Sequence, residues 1–300
     1  LEGAPTVDAI AAWEVSMSSS AHNHRRLVAA IGGLIVVLAG CTDGTPSTAT
    51  LPPGLPTEAV ATARPAATGA SVATAGPSIG AAFARNPATY VEGASYSQVI
   101  DPADFVAGVD HPFLPFVIGM KWIFDGDEHV EVEVLPETKQ ILGVAATVVR
   151  DQVFVDGELA EDTRDWYAQD RDGNVWYFGE QTAEYENGKV TSTAGSWQGG
   201  VGGAQPGIIM LAVPQVSDIY RQEFYAGEAE DLATVTALDG SITVPAGSWS
   251  GTDVIVTEEW TPLQPEVRER KTYAKGFGVV ETRQIKGGHE LTTLTSRTLP

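Results

Sequence analysis

Carboxylates carry most of the reactive chemistry this sequence has to offer. The chain holds 39 Asp and Glu against 18 Lys and Arg. The densest oxygen-rich run on a strand-like background is Asp170-Arg171-Asp172-Gly173-Asn174. Asp170, Asp172 and Asn174 are therefore calcium candidates on carboxylate density. An EF-hand loop needs Gly at position six and a bidentate Glu at position twelve. Here the Gly is fourth and Glu180 would be eleventh, so a hairpin turn accounts for the run more fully. A second cluster, Glu228, Glu230 and Asp231, could supply a carboxylate pair for glycoside hydrolysis at a suitable separation. Spacing in sequence does not set that separation, and solvated loop charge explains the cluster better. His289-Glu290 opens like a zincin motif, but Thr293 stands where the second histidine belongs. His111 and His129 have no ligand-spaced partner. Ser248 does not sit in a G-x-S-x-G frame. No catalytic residue is assigned, and no cofactor or firm metal site is expected.

The aromatic residues offer a binding chemistry instead. Trp166 and Tyr167 face Trp176 and Tyr177 across the turn at Asp172-Gly173-Asn174. Strand side chains alternate between faces, so consecutive rings must point both ways. One face can fill a core. The other needs a helix, the tether or a ligand, such as an apolar molecule or a glycan, unless both faces are buried in a closed or double-layered β structure, which is the favoured alternative. The Gly-rich loop from Gly199 to Gly207 reads as a long mobile surface loop; if the pair binds a ligand, the loop is placed to act as a lid, with Ile209 lining an apolar pocket.

Strands must position these residues. In "HVEVEVLPE" Val130, Val132 and Val134 alternate with Glu131 and Glu133, the mark of a strand wet on one face. Asp156-Gly157 and Asn187-Gly188 are hairpin turns. "SITVPAGSW", "DVIVTEEWTP" and "VRERKTYAKGFGVVETRQI" continue the series. No capped amphipathic helical stretch interrupts it. The expected fold is all-β and mainly antiparallel: a strongly curved sheet, half-barrel or sandwich over residues 86–300, as one domain. Its hydrophobic content of 43% is enough to build a core. The formal net charge of -21 repels polyanions, so nucleic acid is not an expected partner.

The N-terminal part reads differently. Cys41 is the single cysteine, which rules out an internal disulfide and a C-x-x-C metal site. Arg25 and Arg26 precede an apolar run, Leu27 to Gly40, that is too short to span a bilayer. The run ends Leu38-Ala39-Gly40-Cys41, which resembles the lipobox of bacterial lipoproteins at all four positions. That resemblance implies cleavage before Cys41 and diacylglycerol on its sulfur. Residues 17–40 are then a signal peptide starting at Met17, and 1–16 an upstream extension. Residues 41–85, rich in Ala, Thr and Pro without a large aromatic until Phe83, are expected to form a disordered tether. The expected location is the bacterial cell envelope, outside the cytoplasm, with the membrane as partner through the lipid on Cys41.

"DHPFLPFVIGMKWIFDG", "ITVPAGSW", "DVIVTEEW" and "KTYAKGFGVVET" resemble segments of a group of uncharacterised bacterial secreted proteins and lipoproteins. The resemblance spans most of residues 101–285. It implies a curved antiparallel sheet or half-barrel, broadly like lipoprotein carriers of the periplasm, and no activity. Three functions are therefore weighed: a ligand-binding, carrier or scaffolding lipoprotein, a carboxylate-based hydrolase of envelope glycans, and a cation-binding surface protein.

Overall fold

The computed structural model describes residues 86–300 and the backbone of two short paired strands, β1 (Leu27–Ala29) and β2 (Leu34–Val36). Cys41, the lipobox, the remainder of the signal segment, the upstream extension and the tether lie outside the described residues. No α-helix occurs among the described residues, and the two 3-10 turns span Pro102–Asp104 and Gly251–Asp253.

The strands that follow are short at first: β3 (Phe105–Val106), β4 (Val109–His111) and β5 (Leu114–Phe116). Then come β6 (Lys121–Gly126) and four long strands, β7 (His129–Ile141), β8 (Val144–Val155), β9 (Glu158–Asp170) and β10 (Val175–Glu186). β11 (Lys189–Ser192), β12 (Trp197–Gln198), β13 (Gln205–Met210), β14 (Ile219–Arg221) and β15 (Glu223–Phe224) lead to β16 (Leu232–Ala237). The last group is β17 (Ser241–Val244), β18 (Gly247–Ser250), β19 (Val254–Trp260), β20 (Arg268–Ala274), β21 (Gly278–Lys286) and β22 (Leu291–Thr298).

One antiparallel sheet runs β14-β16-β19-β20-β21-β22-β6-β7-β8-β9-β10-β13-β15. Its terminal strands β14 and β15 are successive in the chain, separated only by Gln222. Ile219–Arg221 pairs with β16 at one end of the path, and Glu223–Phe224 pairs with β13 at the other. The sheet is therefore nearly closed into a barrel. A Cβ on Gly207 would lie 2.4 Å from the Gln222 carbonyl, so only glycine lets the two backbones meet there. Closure of this kind removes exposed edges.

The two faces have separate cores. Val130, Val132 and Val134 point inward with Tyr167, Tyr177, Ile209 and Leu294. On the outer face, Trp166, Trp176, Phe178 and Ile208 cluster with Tyr220. The segment from Ala88 to Phe105 covers that outer cluster. Phe105 packs edge-on against Trp176 at 6.1 Å and Phe178 at 5.4 Å, while Tyr96 and Ile100 pack on the same cluster. Backbone bonds from Tyr90 to Ile219 and from Arg221 to Ala88 sew the segment to β14. The Arg221 guanidinium sits 5.2, 5.7 and 4.6 Å from the rings of Tyr90, Tyr96 and Phe224.

Candidate functional site

The aromatic pair is buried on both faces. Trp166 and Trp176 are 6% and 5% exposed beneath the 88–105 segment, and Tyr167, Tyr177 and Ile209 are fully buried inside the barrel. The structure does not bring these five residues to one surface. Inside, the rings form a ladder: Phe116 to Tyr167 at 4.8 Å, Tyr167 to Tyr177 at 5.1 Å, Tyr177 to Trp197 at 5.5 Å. The Gly-rich loop is tied down at its start. Gly199 N–H bonds the Phe178 carbonyl, Gly200 N–H bonds the Ala204 carbonyl, and Gly200 lies against Leu142. At the Asp170 run, Asp170 Oδ1 accepts from the Asn174 backbone, and Oδ2 accepts from Asn174 Nδ2 and Trp176 Nε1. Asn174 Oδ1 accepts from the Ala212 backbone. These oxygens brace the turn between β9 and β10. Among the described residues, no three His, Cys, Asp or Glu side chains converge as a metal requires.

Beyond the ring ladder the lumen becomes acidic. Inward positions alternate along each strand. On β9 they run Tyr167, Asp165, Thr163, Glu161; on β20 Tyr273, Lys271, Glu269; on β19 Ile255, Thr257, Glu259. On β10 the register shifts between Tyr177 and Glu180, which brings Glu180 and Thr182 into the inward row. Gly179 makes that shift workable: with φ at +124° it lies 2.3 Å, measured from an added Cβ, from the Trp197 carbonyl of β12. Asp151, Glu223 and Asp231 complete the set. Eight carboxyls are thus buried together with one ammonium, Lys271, on which Glu259, Glu269 and Asp231 act directly.

The bonding inside this cluster is partial. Lys271 Nζ pairs with Glu259 Oε2 at 2.9 Å. Glu259 Oε1 also accepts from the Thr257 hydroxyl at 2.8 Å and from Tyr273 at 3.3 Å. Tyr177 donates to Asp165 Oδ1 at 2.7 Å, and Trp197 Nε1 to Glu223 Oε2 at 2.9 Å. Thr163 donates to Glu161 Oε1 at 2.7 Å. The second oxygens of Glu161, Asp165, Glu180 and Glu269, and the Tyr167 hydroxyl, bond no described group. Burial pushes the carboxyls of Glu161, Asp165 and Glu269 up to about 7. It drives Glu180 and Glu223 well above the usual carboxylate range, and neighbouring acids add to the rise. Burial opposes charge on Lys271, but Glu259, Glu269 and Asp231 overcome it and raise its pKa.

A sizeable opening lies at the other end of the inward rows, past the ring ladder. There the β4–β5 hairpin inserts Val109, Leu114 and Phe116 into the inner core. It is fixed by Gln169: Asp110 N–H donates to Gln169 Oε1 at 3.0 Å, and Gln169 Nε2 donates to Asp110 Oδ1 at 2.7 Å. Pro112 accepts from Gly276 N–H. Between this hairpin, the β9–β10 turn and the loop after β13 is a cleft of about 390 Å³. Phe113, Leu238 and Ile255 give it an apolar wall, and Asp110, Asp172 and Thr252 a polar one. His111 also lines it, but its Nδ1 accepts from the Phe113 backbone at 3.1 Å. Burial lowers its pKa to about 4, against the opposing effects of a backbone bond to Leu211 and of Asp110. The imidazole is therefore neutral at pH 7.

Sequence reading missed both features. Glu269, Lys271 and Tyr273 share a parity on one strand, as do Glu161, Asp165 and Tyr167; polar residues in phase with buried tyrosines were the available signal. Asp231, read as loop charge, is 3% exposed. The cleft gathers residues from five separate segments and leaves no local pattern.

No protein-family model matches the chain, and no curated protein is similar to it. Solved structures that it resembles include a presumed exported protein with a YmcC-like fold from Bacteroides fragilis. That likeness has a TM-score of 0.38 and 12% identity, over 63% of this chain and 100% of the other. A presumed lipoprotein from Parabacteroides distasonis gives 0.34 and 12%, over 63% and 99%. Both likenesses are distant, and neither description names a ligand.

Proposed function

We propose that this protein is a bacterial envelope lipoprotein, anchored through a lipid on Cys41, whose β-barrel domain binds a small ligand in the cleft beside His111. The observation that carries the binding reading is the cleft itself. Its volume of about 390 Å³ falls within the range of small-ligand sites, and its walls combine apolar side chains with a few polar groups. Binding is favoured over catalysis because the only imidazole there is neutral and held by backbone groups on both sides. The glycan-hydrolase alternative would require substrate to reach carboxylates buried inside a nearly closed sheet. The anchor reading rests on Leu38-Ala39-Gly40-Cys41 and the basic pair before it.

Two measurements test the two halves separately. Cys41→Ala is expected to move the full-length protein from the membrane to the soluble fraction; continued membrane association would remove the anchor. Native mass spectrometry of the full chain is expected to show a co-purified small molecule. Thr252→Trp, a substitution at an exposed position on the cleft wall, is expected to abolish that adduct while preserving the melting temperature. An adduct that survives Thr252→Trp would place the ligand elsewhere.

A further inference from the structure

Given the cleft as the ligand site, its charge selects the ligand class. Asp110 and Asp172 both line it, and none of its lining residues is a lysine or arginine. Asp110 spends Oδ1 on Gln169, and the Asp172 carboxylate makes no hydrogen bond or ion pair with any described residue. His111 supplies no positive charge, since its ring is buried and its Nδ1 is occupied by the Phe113 backbone. An anion entering here would meet two carboxylates without a compensating cation, inside a protein of formal net charge -21. A neutral ligand would leave Asp110 and Asp172, both exposed, to solvent. A cation gains the attraction of both. The apolar part of the lining, Phe113, Leu238 and Ile255, asks for an apolar body of modest size.

We infer that the cleft binds a small amphipathic amine, its ammonium held by Asp110 and Asp172 and its apolar part against Phe113, Leu238 and Ile255. The reading depends on the cleft being the ligand site and adds the sign of the ligand's charge.

The test uses three probes of matched shape, phenethylamine, 2-phenylethanol and 3-phenylpropionate, titrated into the full chain at low salt with calorimetric or ligand-observed magnetic resonance detection. Phenethylamine is expected to bind most tightly and 3-phenylpropionate least. The double variant Asp110→Asn with Asp172→Asn is expected to weaken the amine about tenfold, the scale of a charged hydrogen bond, and to leave 2-phenylethanol unchanged. Added salt should weaken the amine alone. Equal binding of amine and alcohol, each abolished by Thr252→Trp, would overturn the charge selection while keeping the cleft as the site. Binding of none of the three would overturn the charge selection and the ligand reading together.

Discussion

The protein is expected to melt at a higher temperature at pH 5 than at pH 8, by on the order of 10 °C. The reason is the proton content of the barrel. Glu161, Asp165 and Glu269 have folded-state pKa values of about 7, set first by burial. In the unfolded chain such groups titrate near 4. The folded state therefore holds more protons than the unfolded state between those limits, and stability falls as pH rises through them. The carboxyl contribution is complete below about 4 and lost as the pH passes about 7. Glu180 and Glu223, raised by burial and by neighbouring acids, act in the same direction. His111 acts in the other sense: its pKa is depressed to about 4, so its contribution is present above about 6.5 and lost as pH falls through about 4. One imidazole opposes at least three carboxyls, so the slope between pH 5 and 7 keeps the carboxyl sign. Scanning calorimetry across pH 4 to 9 measures it. Asp165→Asn, which keeps an acceptor for the Tyr177 hydroxyl, should flatten the profile. A melting temperature that climbs from pH 5 to pH 8 would mean that the lumen acids are ionised and compensated in the fold.

Lys271→Met is expected to destabilise the protein by about 3–5 kcal/mol at pH 8, the cost of removing one partner from a buried ion pair. Lys271 is 1% exposed and pairs with Glu259, itself 3% exposed, at 2.9 Å. Glu269 and Asp231 also act on it electrostatically. Without the ammonium, these acids keep their negative charge in a place water does not reach. Methionine fills the same volume, so packing loss is small. At pH 5 Glu269, whose pKa burial raises to about 7, takes up a proton instead, and the deficit should shrink. Urea denaturation of both forms at pH 5 and pH 8 separates the two effects. A deficit of equal size at both values would assign the loss to packing, and no deficit at pH 8 would remove Lys271 from the electrostatic balance of the lumen.

Much of the architecture is legible in local sequence. The Val130, Val132, Val134 alternation is borne out: all three valines are buried and Glu131 is exposed. Asp156-Gly157 and Asn187-Gly188 are turns between paired strands, with Asp156 and Asn187 at positive φ, the conformation those turns demand. These features depend on neighbours a few residues apart, where side-chain period and turn chemistry are strong signals. The all-β, curved character of the domain follows from them.

Strand alternation determines which residues share a face, but not which face is inside. "WY" in Trp166-Tyr167 says that two rings point apart. Only the closure of β14 and β15 onto β16 and β13 decides that Tyr167 enters the lumen and Trp166 lies under residues 88–105. The same holds for charge. The sequence by itself makes this an acidic chain with strand-forming segments and a single cysteine in a lipobox-like run. Whether Asp165, Glu223 and Lys271 meet water or one another depends on pairings between distant strands, such as Thr298 of β22 opposite Lys121 of β6, and burial lifts the Asp165 carboxyl to about 7. The cleft belongs to the tertiary structure for the same reason. Asp110, Gln169, Ala212, Leu238 and Ile255 acquire a common purpose only when the sheet curls far enough to bring five segments to one end.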